Sequence, residues 1–189
     1  MSLLSTAIWL QFMRMDPYQV LLLILIFVSF VYLALLVYVV GKMRQFKLRL
    51  RGKLRGLNLL LYERSEVLRG VFKLFKEKGI ALSEEDRKVD EALSQVDFNR
   101  VKEDEFRAAM ETVKVATSRT RYLAQANRFI LAEPKYKELM ELLDDLERNY
   151  RTLTSQYNSD IVAYNYWIKI PTVSWFGYII GYRKKLLIN

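Results

Sequence analysis

Residues 18–40 read YQVLLLILIFVSFVYLALLVYVV and are apolar on every helical face, with Gln19 and Ser29 the only clearly polar side chains. A helix in a water-soluble core shows an apolar stripe instead. At 1.5 Å of rise per residue the run reaches roughly 34 Å, against a hydrocarbon core of about 30 Å. The pattern predicts an uncleaved transmembrane helix over 17–41. The run is too long for a signal-peptide core, its basic residues follow rather than precede it, and no small-residue cleavage pattern comes after. Tyr18 and Tyr38 fall near its two ends, where amphipathic rings suit the interface. Upstream, Leu4, Ile8, Phe12 and Met15 stand at helical spacing. That short segment either lies along the outer interface or extends the anchor.

From residue 42 the pattern becomes amphipathic. Phe46, Leu50, Leu54, Leu57, Leu61, Leu68, Phe72 and Phe75 recur at steps of three, four or seven, which predicts a helix over 42–78 with one apolar stripe. Gly79 suits its stop, and Ser83 with Asp86 resembles a capping box opening a short helix, SEEDRKVDEALSQV. A third helix is expected over 98–131. Its broad apolar face includes Val101, Val113, Val115, Tyr122, Leu123 and Phe129, with small residues such as Ala109 and Ala116. Pro134 breaks the chain and can start the next helix. Over 135–168, Leu139, Leu143, Leu146, Tyr150, Leu153, Tyr157, Ile161, Tyr164 and Ile168 step by four and three. Such coiled-coil-like spacing also fits one edge of a bundle core. No stretch alternates with period two.

The expected fold is therefore all-α: a single N-terminal transmembrane helix followed by a long-helix antiparallel bundle. Its parts are a short external segment (1–16), the anchor (17–41), a basic juxtamembrane start of the first cytoplasmic helix (42–56), the bundle (57–170) and an apolar, aromatic tail (171–189). The anchor and first cytoplasmic helix can form one continuous rod, with Gly41 as its weak point.

Charge adds orientation. The net charge is +9, but residues 42–55 alone carry seven basic and no acidic side chains. Residues 1–41 carry one of each sign, and residues 56–189 carry 22 basic and 20 acidic. The positive-inside bias puts the body in the cytoplasm and the N-terminus outside, in a bacterial inner membrane. Lys42, Arg44, Lys47, Arg49, Arg51, Lys53 and Arg55 are then the expected contacts to anionic headgroups of the inner leaflet, each contributing about 1 kcal/mol. A nearly neutral body is not how a broad nucleic-acid face reads, so no nucleic-acid partner is expected.

Candidate chemistry is sparse. The chain has no Cys and no His, which removes thiol nucleophiles, imidazole bases and Cys/His metal sites. Asp144-Asp145 and Glu103-Asp104-Glu105 are sequence neighbours that point to different helix faces. No phosphate-binding glycine fingerprint occurs. The expectation is a non-enzymatic protein without metal or cofactor.

The end of the chain stands out. Tyr157-Asn158 and Tyr164-Asn165 are seven residues apart and share one helical face. The tyrosines suit the core; the asparagines suit bonds to local backbone or a neighbouring helix. The tail IPTVSWFGYIIGYRKKLLI is too apolar for a disordered terminus. It is expected to bury against its own bundle, a second subunit or the inner leaflet.

This ending resembles that of LemA family proteins, in which two Tyr-Asn pairs, an Ile, a Pro-containing turn and a glycine-aromatic-basic ending recur; here the ending is Gly181-Tyr182-Arg183. The segments LLLYERSEVLRGVFKLFKEKG and LAEPKYKELMELLDDLERNY are similar to the family's first cytoplasmic helix and its Pro-started helix. The family's usual Pro in the first helix is replaced near Leu68–Arg69, as in a divergent member. The resemblance implies a helical-bundle domain on an N-terminal anchor and no enzyme class.

Together these features point to a membrane scaffold that forms homo-oligomers and organises or shapes the inner membrane, with Trp175, Phe176, Tyr178 and Tyr182 as candidate assembly contacts. The alternative is an adaptor tethering a cytoplasmic partner protein. A third reading makes residues 42–55 a lipid-binding device in their own right.

Overall fold

A computed structural model describes residues 16–95, 103–170, 173–175 and 181–188. Among the described residues every regular element is a helix: α1 (Pro17–Glu77), α2 (Glu84–Gln95), α3 (Glu103–Ala126), α4 (Arg128–Leu131) and α5 (Pro134–Lys169), with a further helical turn at 173–175. The chain divides into two units, Met1–Phe46 and Lys47–Asn189.

In the first unit, α1 begins at Pro17, whose fixed φ and missing N–H suit a first helical position. This helix is long and apolar enough to cross a membrane by length and composition, and none of its most apolar stretch is buried. Leu21, Phe27, Phe30 and Leu33 are all exposed. The helix is unbroken at Gly41. The expected amphipathic segment at 1–15 lies outside the described residues.

In the second unit, most of the expected α1 stripe is buried: Leu50, Leu57, Leu61, Leu68, Phe72 and Phe75 are each at most 2% exposed, while Leu54 is half-buried. Fully burying one such side chain stabilises by about 1.5–3 kcal/mol. The stripe's gap between Leu61 and Leu68 is filled by Arg64 and Ser65, both buried. Tyr136, Leu143, Leu146, Tyr150, Tyr157, Ile161 and Tyr164 form the matching row of α5.

Contacts climb α1 as they descend α5, so the two run antiparallel over these residues. Lys53 Nζ lies 2.7 Å from Asp160 Oδ2, and Arg64 Nη2 lies 3.8 Å from Glu147 Oε2. Phe75 stacks on Tyr136, centroids 6.2 Å apart. Similarly, α3 meets α5 through Arg121 and Asp144 at 2.9 Å.

The turn after α1 is a Schellman cap. Gly79 takes φ +73°, its N–H donates to Lys76 O at 3.2 Å, and Ile80 N–H donates to Phe75 O at 3.0 Å. The capping box follows: Ser83 N–H donates to Asp86 Oδ2 (3.0 Å) and Asp86 N–H to Ser83 Oγ (3.2 Å).

The third helix differs from expectation. It does not run to residue 131. It ends at Ala126, and Asn127 adopts φ −119°, ψ 75°, before α4. The Asn127 side-chain amide donates to Leu123 O at 2.9 Å. That bond competes with helix continuation, as short polar side chains do. The buried face of α3 is Phe106, Ala109, Val113, Ala116, Thr120 and Leu123, while Val115, Tyr122 and Phe129 point to solvent. Residues 98–102 of the expected helix lie outside the described residues.

Candidate interface at the C-terminal segment

Two turns of α5 aim Asn158 and Asn165 the same way, because seven residues make almost two full helical turns. Tyr157 and Tyr164, one position earlier in each pair, are 0% and 1% exposed and fix the rotation of the helix. The asparagines are left on an adjoining, half-buried face.

They bond neither to local backbone nor to another helix. Each holds one residue of the tail through both of its backbone polar groups. Asn165 Nδ2 donates to Lys185 O (2.8 Å), and Lys185 N–H donates to Asn165 Oδ1 (3.0 Å). Asn158 Nδ2 donates to Ile188 O (2.6 Å), and Ile188 N–H donates to Asn158 Oδ1 (3.0 Å). A primary amide matches a peptide group in this way because it carries an acceptor and donors side by side.

The spacing is geometrically consistent. Seven helical residues rise about 10.5 Å, and three residues of extended chain span at most about 10–11 Å. The tail must therefore be nearly fully extended between 185 and 188, and it runs antiparallel to α5. Gly181 enters this segment at φ +76°, a conformation that costs a residue with a Cβ roughly 1–2 kcal/mol.

Further contacts pin the segment. Ile188 is buried, Arg107 of α3 donates to Leu187 O at 3.3 Å, and Lys47 Nζ sits 4.1 Å over the ring centroid of Tyr182. Of the three sites expected for the tail, residues 182–188 occupy the first, against their own helices. Leu186 and Leu187 nevertheless face outward, at 68% and 44% exposure, and on α5 Val162 and Tyr166 are also exposed. Trp175 is exposed, Tyr182 half-buried, and Phe176 and Tyr178 lie outside the described residues.

The basic run is divided. Arg44, Arg49, Arg51 and Arg55 are exposed. Lys42 lies 5.8 Å over the Tyr38 ring, Lys47 lies over Tyr182, and Lys53 both pairs with Asp160 and donates to Gln156 O at 3.2 Å. Lys53 thus contributes to helix pairing.

Deeper in the α1–α5 seam, the Arg64 guanidinium lies 5.3 Å over the Tyr150 ring. Burial holds its pKa below the ordinary Arg value, with Glu147 opposing. Burial pushes Glu147 up, but the hydrogen bond from Arg151 and the charge of Arg64 outweigh it, leaving Glu147 below its usual 4.5. Arg64 Nε and Asn58 Oδ1 are buried and find no hydrogen-bond partner among the described residues. No group of three or more potential metal ligands occurs among the described residues.

No protein-family model matches the chain, and no curated protein or solved structure matches it.

Proposed function

We propose that this chain is a non-enzymatic, single-pass membrane protein whose cytoplasmic helical bundle assembles with further copies into a scaffold at a bacterial inner membrane, organising or shaping it. The observation that carries the proposal is the division of α1. Its first half exposes apolar side chains on every face, and its second half buries a single stripe. Exposed apolar surface of the first kind suits lipid. The orientation, N-terminus outside, rests on the seven basic residues of 42–55. The likeness to the LemA family is part of the same reading.

Self-association is supported by apolar side chains beside the asparagine pair. Val162 and Tyr166, one turn apart on α5, and Leu186 and Leu187 of the tail are each exposed. Contiguous exposed apolar surface marks contact sites. A second copy is the occupant favoured, because anchoring in one membrane raises the local concentration of copies.

The test extracts the full chain with its surrounding lipid and measures mass and cross-linking at position 186. Several copies per particle, lost in Tyr166→Asp/Leu186→Asp, are expected. A lone copy in native membrane would overturn self-assembly. A different protein recovered at fixed stoichiometry would make the chain an adaptor.

A further inference from the structure

The docking of the tail creates a second feature. A cleft of about 400 Å³ opens between α1, α3, α5 and the tail. Its lining includes Lys47, Arg107, Arg183, Lys184 and Lys185, together with Tyr164, and among the described residues no carboxylate. Elsewhere in this unit several basic side chains meet acids: Lys53 with Asp160, Lys76 with Asp90, Lys78 with Glu133 and Arg121 with Asp144. Among the described residues no carboxylate pairs with Lys47, Arg107, Arg183 or Lys184 in this way.

Five like charges gathered around one cleft repel one another. Here they converge from α1, α3 and the tail, and the tail is held in place by paired amide bonds at Lys185. A surface that merely needed solubility would scatter such charges. The volume lies within the range of small-ligand sites, 300–1,000 Å³. Burial, aided by Tyr182, raises the Tyr164 pKa above the ordinary phenol value, so its hydroxyl remains protonated and able to donate.

We propose that this cleft binds a compact polyanion bearing two or more phosphate charges, held by Arg107 and Arg183 through bidentate contacts and by Lys47, Lys184 and Lys185 as point charges. Guanidinium forks match phosphate oxygens in pairs, and ammonium groups add charge without fixing geometry. The same chemistry is offered by a soluble diphosphate and by a phospholipid whose headgroup carries two phosphates. Lys47 is only seven residues beyond Val40, the last residue of the apolar run, and clusters of Lys and Arg that closely follow a membrane helix in sequence bind anionic headgroups. The site needs no second copy, so it stands whether or not the chain self-assembles.

The experiment uses the full chain in neutral phosphatidylcholine discs at physiological salt. One arm titrates inorganic pyrophosphate by calorimetry. The other dopes the discs with cardiolipin or with phosphatidylglycerol at matched charge and reads thermal stabilisation. Saturable binding of one pyrophosphate per chain identifies a soluble ligand; stabilisation by cardiolipin beyond phosphatidylglycerol identifies a headgroup. In either case Arg107→Gln/Arg183→Gln/Lys184→Gln is expected to weaken binding on the order of 100-fold, given the strength of charge-assisted contacts. Arg107→Lys/Arg183→Lys, which keeps charge and fold, is expected to lose about tenfold as the bidentate geometry goes. A control triple elsewhere on the unit, Lys73→Gln/Arg128→Gln/Lys137→Gln, should change binding less than about threefold. Equal losses in the pocket and control triples would overturn the proposal, as would no saturation by pyrophosphate and no preference for cardiolipin.

Discussion

Replacing both asparagines, Asn158→Ala/Asn165→Ala, should release the tail without unfolding the helices. Four hydrogen bonds join these side chains to Lys185 and Ile188. At a net value of about 1 kcal/mol each, either asparagine contributes about 2 kcal/mol and the pair about 4 kcal/mol. The two sites are about 10 Å apart along α5, far enough for their effects to add. What remains is mainly the burial of Ile188 and the Arg107 and Tyr182 contacts. Limited trypsin digestion reads the opening directly, because Arg183, Lys184 and Lys185 are cleavage sites inside the segment. Where opening is fast relative to cleavage, the rate follows the open population. The single variants should then lose the C-terminal peptide about 30-fold faster and the double variant about 1,000-fold faster, from 1.4 kcal/mol per factor of ten. Helix content by circular dichroism should stay unchanged. Asn165→Asp should resemble Asn165→Ala, since a carboxylate accepts from Lys185 N–H but cannot donate to its carbonyl. A double variant cleaved within about threefold of the parent would refute the paired-amide account of tail docking.

The double replacement Arg64→Met/Glu147→Leu should be neutral or stabilising by thermal melt, whereas Glu147→Leu alone should cost about 3–5 kcal/mol, because it leaves a buried guanidinium without its countercharge. Glu147 is held below its usual 4.5 in the folded state, so its contribution is present above that value and is lost as pH falls through the lower folded value; Glu147→Gln should flatten the melting temperature against pH in that acid range. Asp86→Ala removes the acceptor for Ser83 N–H and should cost about 1 kcal/mol in chemical denaturation. The chain has no native Cys, so Ser83→Cys provides a clean accessibility probe: it should react with an impermeant maleimide only after cells are opened, and labelling of intact cells would reverse the proposed orientation.

The helices were legible where burial follows a simple period. Leu50, Leu57, Leu61, Leu68 and Phe72 announce the α1 stripe, and the α5 row from Leu143 to Tyr164 does the same. Arg64 was hidden because a charge in an apolar row reads as an interruption, although its long aliphatic stem and planar head fit beneath Tyr150. The phase of α3 was harder: Phe106, Ala109, Val113 and Ala116 mark its buried side, but Val115, Tyr122 and Phe129 broaden the apolar pattern without being inside. The break at Asn127 depends on a single side-chain bond to Leu123, which leaves no period to detect. At the tail, the seven-residue spacing of the Tyr-Asn pairs was visible, and the burial of the tyrosines followed from it. The asparagines' partners lie 20 and 30 residues further along, and no local pattern announces such a match. The basic cleft escapes for the same reason, since Lys47, Arg107 and Arg183 meet only in three dimensions.

The antiparallel pairing of α1 with α5 also sets an order of events during synthesis. Lys53 and its carbonyl acceptor on Gln156 are separated by 103 residues. At about 5–20 residues per second, the apolar face of α1 waits roughly 5–20 s after it is made before its partner exists. The tail comes later still. Asn158 and Asn165 can meet Ile188 and Lys185 only after a further 30 and 20 residues have been made, and every nascent chain passes through an interval in which its helices are complete and their last strap is not yet fastened.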